Sequence, residues 1–303
     1  MSTKAKVFLG LGLYLLIVVA MVVIVGSSGE NDEFQPQNEF LLEPWVPIDV
    51  AGIDLSINKA VLYLILASVA TIATMTFIAS RMQREPNKVQ MAVELAFDLT
   101  RNNITRNNIE GDRLALKWFP FLAALFFWIW FSNMIGYLPL PTNTEHPVDV
   151  FGFQIPALAL YAASANLSIP LVLTLVVWFA YNIEGIRERG FFAYFKSWLP
   201  PGLEDMNPIG KGAIFVIEVL SHLVRLISLS VRLFANILAG HLLILFMGGG
   251  LAVLLGLAAL GIATFPLVFF FFIFEVVLVA TLQAFIFSTL TAIYIGGATS
   301  ESH

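Results

Sequence analysis

Residues 208–246 read PIGKGAIFVIEVLSHLVRLISLSVRLFANILAGHLLILF, and this stretch decides the fold. Proline is well suited to begin a helix, and no second proline follows it here, so the pattern predicts one uninterrupted helix. Such a helix would be about 60 Å long, which is twice the roughly 30 Å thickness of membrane hydrocarbon. It must therefore cross the membrane at a steep tilt or break.

A second overlong apolar stretch follows at residues 251–295. Pro266 is its predicted kink, and the three glycines at 248–250 are the natural turn between the two stretches. We therefore predict that the last two membrane helices are long, steeply tilted and paired as a hairpin. This predicted hairpin comprises residues 208–296.

The whole chain has the composition of a membrane protein. Of its 303 residues, 58% are hydrophobic and 12% are charged, whereas soluble chains carry roughly 25% charged residues. A soluble enzyme is therefore excluded. The absence of cysteine excludes disulfides, thiolate metal sites, iron–sulfur clusters and catalytic thiols. No phosphate-binding or hydrolase motif occurs, so we expect no nucleotide, cofactor or metal site, and the net charge of −5 argues against nucleic acid.

Uncharged runs predict about five to six membrane helices in an all-α integral membrane protein. The first run, residues 7–25, follows two lysines and fits either a signal anchor or a cleaved signal. An acidic loop follows, so residues 1–57 are predicted to form an N-terminal region separate from the membrane domain at 58–303. Further spans are predicted at residues 60–80, 118–139 and 158–183, ahead of the hairpin.

Basic residues set the expected orientation. Seven lie in residues 81–117 and four in 183–212, whereas the acidic segments at 30–54 and 142–156 have none. The positive-inside rule therefore places the C-terminus in the cytoplasm and the acidic segments, both predicted to be loops, outside. In the first basic segment, apolar residues at helical spacing predict an amphipathic helix on the cytoplasmic surface: Val89, Val93, Ala96, Phe97 and Ile104.

Ionisable side chains inside a membrane helix cost roughly 2.5 to 3.5 kcal/mol each and usually serve a function. The predicted hairpin contains six: Glu218, His222, Arg225, Arg232, His241 and Glu275. At about 100° per residue, the first four and Asn236 fall within a sector about 80° wide. A lone Arg or His can be a snorkelling or packing residue, and Glu218 with Arg225 can be a structural pair. Five polar groups on one face favour a path for ions instead.

Arg232 is the most informative of these residues. Its guanidinium stays protonated at physiological pH, so it is a fixed positive charge and not a proton carrier. Such a charge attracts a carboxylate, favours its ionised form and blocks the passage of other cations along the same line. The pattern places no acid of this chain to neutralise it, which points to a partner with an intramembrane Asp or Glu.

Two separated motifs resemble the subunit a family of F-type ATP synthases. Residues 228–241, SLSVRLFANILAGH, are similar to the family signature, and residues 281–294, TLQAFIFSTLTAIY, are similar to its closing helix. The resemblance covers about residues 55–296. An earlier membrane segment also resembles the family, and the residues that carry this similarity are Pro120, Asn133, Gly136 and Pro139.

The resemblance implies a proton-conducting stator subunit that couples proton flow to rotation and ATP synthesis, in a bacterial plasma membrane. The implied partners are the ring of subunit c, the peripheral-stalk subunit b and membrane lipids. Arg232 would be the essential arginine that faces the ring. The implied half-channel residues are Glu218, Asn236, His241, Glu275 and Gln283, with His222 and Arg225 as less direct candidates.

In many members of the family the first of two positions holds Glu and the second holds His, whereas this chain has His241 and Glu275. Because the two residue types can be exchanged, the resemblance implies that they act through mutual contact. Leu226 and Ala235 depart from the family, where proline and glycine are common, and this leaves the local helix geometry open. Proton and sodium coupling are both compatible with the sequence, because ligands for the ion would lie mainly on the ring.

The alternative function is an ion-coupled secondary transporter that uses the same buried charges. That class favours two related halves with broken helices at matching positions. Residues 1–150 and 151–303 show no such relation. The sequence therefore favours the rotary function over autonomous transport.

Overall fold

The computed structural model describes residues 3–25, 40–50, 52–81, 87–150, 153–199, 207–250 and 258–300. Its helices are α1 (Thr3–Val25), α2 (Lys59–Arg81), α3 (Lys88–Asp98), α4 (Asp112–Gly136), α5 (Ser168–Arg189), α6 (Phe191–Lys196), α7 (Pro208–Leu245), α8 (Ala258–Ile273) and α9 (Ala280–Thr299). π-Helical segments follow α3, α7 and α8, at Leu99–Arg106, Phe246–Gly250 and Phe274–Val279. The strands are β1 (Asp49–Val50), β2 (Ile53–Asp54), β3 (Leu140–Val150) and β4 (Phe153–Ala159).

Five helical stretches in the described part of the chain are long and apolar enough to cross a membrane. They are Lys59–Phe77, Asp112–Gly136, Ser168–Arg189, Pro208–Gly248 and Thr264–Thr299. The prediction of an all-α membrane protein is confirmed by these helices. α1 holds a shorter apolar run and packs against α8.

The N-terminal predictions remain predictions. The packing of α1 does not test whether it is a signal anchor or a cleaved signal. It also does not test the predicted division between an N-terminal region at 1–57 and a membrane domain at 58–303. Much of the acidic segment predicted at 30–54 lies outside the described residues, which resume at Phe40. Where they resume, β1 and β2 form a small antiparallel hairpin with Gly52 at its turn. Gly52 has a φ of 82°, a conformation that favours glycine.

The last two spans are overlong, as the sequence predicts, but residues 248–250, which we predicted as the turn between them, belong to a π-helical segment. They comprise 41 and 36 residues, which corresponds to about 60 and about 54 Å at 1.5 Å per residue. Both exceed the roughly 30 Å of membrane hydrocarbon, so both must tilt or extend beyond it. Pro266 lies within α8, and the π-helical segment Phe274–Val279 follows. A π-helical turn is wider than an α-helical turn and therefore redirects the side chains that follow it.

α4, α5 and α9 form the core, with α2 packed on α4 and α7 packed on α5. Because lipid tails are as apolar as leucine, close packing and not transfer from water stabilises such contacts in a membrane. Gly296 of α9 lies against the backbone carbonyl of Asn108, in space that a side chain would fill. Large apolar side chains fill the centre, among them Leu122, Phe126, Val177 and Phe287.

The acidic segment at 142–156, which we predicted to be a short outer loop, forms a β-hairpin. β3 pairs antiparallel with β4, from Leu140 opposite Ala159 to Val150 opposite Phe153, with two shifts in register. Pairing gives hydrogen-bond partners to backbone groups that an isolated extended chain would leave to water. The composition of the segment indicated its charge, but pairing depends on two strands meeting.

The predicted amphipathic helix exists as α3 and the π-helical segment that follows it. Asn87 caps α3, since its side chain accepts a hydrogen bond from the backbone amide of Gln90 at 2.8 Å. Ile104 is fully buried, whereas Met91 and Leu95 are exposed. One edge of this segment therefore packs on the helices while other apolar side chains face outward. Its location on the cytoplasmic surface stays a prediction.

The helical bundle has two chemically different ends. The start of α4 and the ends of α5 and α9 meet at one of them, which we name the basic end after Arg113, Lys117 and Arg189. The end of α4 and the strands β3 and β4 lie at the other end. We name it the hairpin end after the β-hairpin that β3 and β4 form, which is distinct from the predicted helical hairpin. α7 runs between them: Glu218 shares a cavity with Arg189, and His241 contacts Gly136.

Candidate functional site

α7 carries most of the predicted site residues and places them at three levels. Its start is capped by Asn207, whose side chain accepts a hydrogen bond from the Ile209 amide at 3.3 Å. At 1.5 Å per residue, Arg232 lies about 15 Å along the axis from His222 and about 14 Å from His241. From the basic end to the hairpin end the order is Glu218, His222 and Arg225, then Arg232 and Asn236, then His241.

At the basic end, Glu218 is the centre of a charged cluster. Its Oε1 lies 3.6 Å from Nη2 of Arg225 and 4.0 Å from Nε2 of His222. The three side chains line a cavity of about 430 Å³, together with Arg189 of α5 and Tyr294 of α9. A water molecule takes about 30 Å³ in the liquid, so the cavity has room for several. Here the structure brings together three of the predicted residues.

Aromatic residues from α5 and from the segment after it hold His222 in place. The Tyr181 hydroxyl lies 3.0 Å from Nδ1 of His222, and the Trp198 ring stacks on the imidazole at 4.2 Å between centroids. Nearby, the Tyr194 hydroxyl donates to Oδ1 of Asn182 at 2.9 Å. Burial raises the pKa of Tyr194, which keeps this donor protonated. Sequence reasoning missed these partners, because nothing in the sequence indicates that they meet α7.

Arg232 and Asn236 lie one turn apart on the exposed face of α7. Within the ranges that the structure describes, neither side chain makes a hydrogen bond or ion pair with the rest of the chain. Behind them α7 buries Leu229, Leu233 and Ile237 in the apolar core. Arg232 thus presents a permanent cation outward, halfway along a membrane helix, with no carboxylate supplied to it by the described part of the chain.

At the hairpin end, His241 and Glu275 gather around Tyr137. His241 is 1% exposed, and its ring stacks on that of Tyr137 with 4.5 Å between centroids and 28° between planes. The Tyr137 hydroxyl donates to Oε2 of Glu275 at 3.1 Å. The two ring nitrogens of His241 lie 3.0 Å from the carbonyl oxygens of Ile237 and Gly136. Tyr137 therefore contacts both members of the predicted pair.

Close packing surrounds this group. Gly240 lies so near the Glu275 carboxylate that an added Cβ would overlap it. Burial, with a further contribution from Glu275, raises the pKa of Tyr137, so the phenol stays protonated as a donor. In apolar surroundings, polar groups interact more strongly than in water. The neighbouring side chains are Leu160, Ile244, Val268, Phe272, Val276 and Ala280.

At the hairpin end, sequence reasoning missed the role of Tyr137. In the sequence it is an aromatic residue at the end of a span, a position where tyrosine commonly marks a membrane interface. The available signal was its position directly after Gly136, at the end of the segment that resembles the family. That signal does not distinguish an interfacial tyrosine from one that contacts a titratable pair.

Gln283 stands apart from the three levels of α7. It is 5% exposed and lies on α9 beside the buried Ala284 and Phe287. In the described part of the chain, no hydrogen bond joins it to Arg232 or Asn236. The residues that the structure describes contain no cluster of three or more His, Cys, Asp or Glu side chains that could hold a metal ion.

A buried ion pair links α4 and α5 near the basic end. Nζ of Lys117 contacts Oε1 of Glu184, whose side chain is fully buried while that of Lys117 is half exposed. A second cavity, of about 390 Å³, lies beside it and is lined by Arg113, Glu188 and Thr299. Lys117 therefore lies inside α4 with its charge compensated, and does not mark the start of the membrane span as predicted.

Known proteins resemble this chain over most of its length. The model of the family described as ATP synthase A chain matches residues 61–296. A Helicobacter pylori protein named ATP synthase subunit a is 35% identical over 239 residues, which cover 78% of this chain and 89% of that protein. A protein of the same name in Rubrobacter xylanophilus is 32% identical over 254 residues, which cover 84% of this chain and 88% of that protein. Another in Brucella canis is 30% identical over 271 residues, which cover 88% of this chain and 98% of that protein. The resemblance found in the two motifs is confirmed.

Proposed function

The chain belongs to the ATP synthase A chain family, and we propose that it conducts protons through two half-channels that meet the ring of subunit c at Arg232. It is a multi-pass membrane protein and the proton-translocating subunit of the synthase's membrane sector. That sector also contains the ring of subunit c and subunit b, which are the expected partners. The half-channels and the coupling of proton flow to rotation are the proposal.

The separation of two polar ends by an apolar middle carries this proposal. The Glu218 cavity lies at the basic end, and the His241 cluster lies at the hairpin end. Between them α7 buries Leu229, Leu233 and Ile237 in the core. A proton therefore needs a second carrier to pass from one polar end to the other. Arg232 faces outward between the two ends, where a carboxylate on a neighbouring subunit would meet it.

The mechanism follows from the cost of charge in a membrane. A ring carboxylate can face lipid only when it is neutral, because an ionised acid in hydrocarbon is too costly. A proton from one half-channel neutralises the carboxylate, and rotation carries it to the other half-channel. There the fixed charge of Arg232 favours ionisation, so the proton is released. Each charge that crosses delivers about 2.3 kcal/mol per 100 mV of membrane potential.

We assign the hairpin end to proton uptake outside and the basic end to release into the cytoplasm, because basic loops stay inside. The C-terminus then lies in the cytoplasm of a bacterial cell. His241 and Glu275 can titrate and serve uptake. Glu218 serves release, with His222 and Arg225 beside it in the same cavity.

Asn236 and Gln283 have a different role from the titratable residues. An amide neither gains nor loses a proton at physiological pH, so it can orient water or a neighbouring charge but cannot relay a proton. Asn236 lies one turn from Arg232 on the same exposed face, which suits it to orient that charge. Gln283 lies on α9 without a hydrogen bond to Arg232 in the described part of the chain, and we assign it to the ordering of water.

The test is Arg232→Ala in the assembled synthase. We expect the complex to assemble, as shown by co-purified subunit c, and proton-driven ATP synthesis to be lost, because the ring carboxylate has no fixed cation beside it. Val231→Ala is the matched control, since Val231 is the neighbouring residue, is 42% exposed and carries no charge. Normal proton-driven synthesis by assembled Arg232→Ala complexes would overturn the proposal. Ion transport by the purified chain alone in liposomes would instead favour a secondary transporter.

A further inference from the structure

Tyr137 contacts both titratable residues of the hairpin end with different parts of its side chain. Its ring face stacks on the imidazole of His241 at 4.5 Å. Its hydroxyl donates to Oε2 of Glu275 at 3.1 Å. The preceding residue, Gly136, supplies the carbonyl oxygen that lies 3.0 Å from Nε2 of His241. The end of α4 therefore positions both titratable groups, although it carries neither.

Both ring nitrogens of His241 face a backbone carbonyl oxygen. A carbonyl oxygen only accepts hydrogen bonds, and each ring nitrogen lies 3.0 Å from such an oxygen. A neutral imidazole has one N–H group and satisfies one carbonyl, whereas an imidazolium satisfies both. The face of the Tyr137 ring also attracts a cation at this distance. These contacts therefore fix the orientation of the imidazole, and both carbonyl oxygens would be satisfied if it took up a proton.

One contact of Glu275 favours its ionised form. A hydrogen bond donated to a carboxylate favours the charged state, and the Tyr137 hydroxyl makes such a bond. The partly buried carboxylate also packs against the backbone of Gly240, which limits where it can move. The elements that pack around the group contribute apolar side chains, including Val268 and Phe272 of α8.

We propose that Tyr137 is a positioning residue of the outer half-channel, which orients the His241 imidazole through its ring and the Glu275 carboxyl group through its hydroxyl. By doing so it sets the outer pH at which this path delivers protons. The inference rests on the proposed function, because it assumes that His241 and Glu275 serve proton uptake. Tyr137 acts through these two residues and does not carry the proton itself.

Tyr137→Phe tests the hydroxyl, because it keeps the ring stack and removes the donor. The measurement is proton-driven ATP synthesis by the assembled synthase in vesicles, as a function of the pH on the uptake side. Loss of the donor destabilises the ionised carboxylate, so the acid limb of the profile should move to higher pH by about one unit, a tenfold change in proton concentration. Tyr161→Phe is the matched control: Tyr161 is fully buried at the same end, and its hydroxyl has no partner in the described structure. Its profile should match that of the parent.

A Glu275→Gln background separates positioning from a merely structural role. If Tyr137 acts through the Glu275 carboxylate, Tyr137→Phe should change the rate less than about twofold once that carboxylate is absent. A structural role would lower the rate by the same factor in both backgrounds. An unshifted pH profile, or equal losses in both backgrounds, overturns the inference.

The same experiment distinguishes this failure from failure of the proposed function. Glu275→Gln and His241→Ala are each expected to slow proton-driven synthesis without an uncoupled leak. If both leave the rate unchanged, the assignment of the hairpin end to proton uptake is wrong, whatever Tyr137→Phe does. If both slow it and Tyr137→Phe shifts nothing, only the role of Tyr137 is wrong.

Discussion

Gly240→Ala should impair proton transport without unfolding the protein. Gly240 lies on α7 directly against the carboxyl group of Glu275, and a Cβ at this position would overlap that group. The neighbouring Ile237 and Ile244 anchor α7 in the core. The Glu275 carboxyl group is the far end of a flexible side chain, so it should move while the α7 backbone stays.

Two opposing effects set the expected change in stability. Overpacking typically costs about 1–3 kcal/mol, whereas alanine in place of glycine within a helix contributes about 0.8–1 kcal/mol. The net loss of unfolding free energy should therefore be about 0–2 kcal/mol, which allows assembly. The displaced carboxylate loses its hydrogen bond from Tyr137. A hydrogen bond to a charged group contributes about 1.5–3 kcal/mol, equivalent to about 10- to 150-fold in the population of the positioned carboxylate.

The assay is proton pumping in vesicles, normalised to the amount of synthase that co-purifies with subunit c. We expect at least about a tenfold loss of pumping, with the amount of assembled synthase nearly unchanged. Gly212→Ala is the control, because Gly212 lies on the same helix with open space where a Cβ would be. Adding Glu275→Asp to Gly240→Ala should recover part of the activity, since the shorter side chain retreats from the new methyl group.

Parent-level pumping by Gly240→Ala would refute this reasoning, because it would mean that the position of the Glu275 carboxylate is unimportant. A loss of assembled synthase as large as the loss of pumping would also count against it, since the defect would then be in folding. No recovery with Glu275→Asp, despite normal assembly, would show that the overlap is not the cause.

Two further substitutions test the packing. Gly296→Ala places a Cβ against the backbone carbonyl of Asn108, which cannot turn aside as a side chain can. The unfolding free energy should therefore fall by about 1–3 kcal/mol. Gly297→Ala is the control, because its Cβ would meet open space, and equal melting temperatures of the two variants would contradict this prediction. Lys117→Met leaves the fully buried Glu184 without its cation and should cost about 3 kcal/mol, the lower end for a buried pair because Lys117 is half exposed. Adding Glu184→Gln should recover most of that loss in a thermal melt, and no recovery would show that the pair is not the cause.

Several elements follow closely from the sequence. The run predicted at 60–80 is the helix Lys59–Arg81, and the proline at 208 begins α7 as expected. The overlong final spans are present, because a contiguous apolar stretch continues as a helix in a membrane, where even a proline is tolerated. These features depend only on the free energy of transferring contiguous side chains from water into the membrane and on the preference of those residues for the helical conformation.

The predicted boundaries fail where a charge is compensated by a distant residue. We expected the third span to begin at residue 118, because Lys117 precedes it. The helix instead begins at Asp112, and the charge of Lys117 is paired with Glu184 of α5. Likewise, the acidic segment at 142–156 forms a hairpin because two strands meet, which composition does not report.

The sequence by itself determined that this chain lies in a membrane and that Arg232 shares one helix face with Asn236. Both conclusions come from local properties, namely the cost of charge in hydrocarbon and the period of the helix. Only the tertiary structure decided that Tyr137 contacts both His241 and Glu275, because Tyr137 and Glu275 are 138 positions apart and meet only when α4 packs beside the segment before α9. A helical period states which way a side chain points along its own helix, and only the packing of helices determines what it meets there.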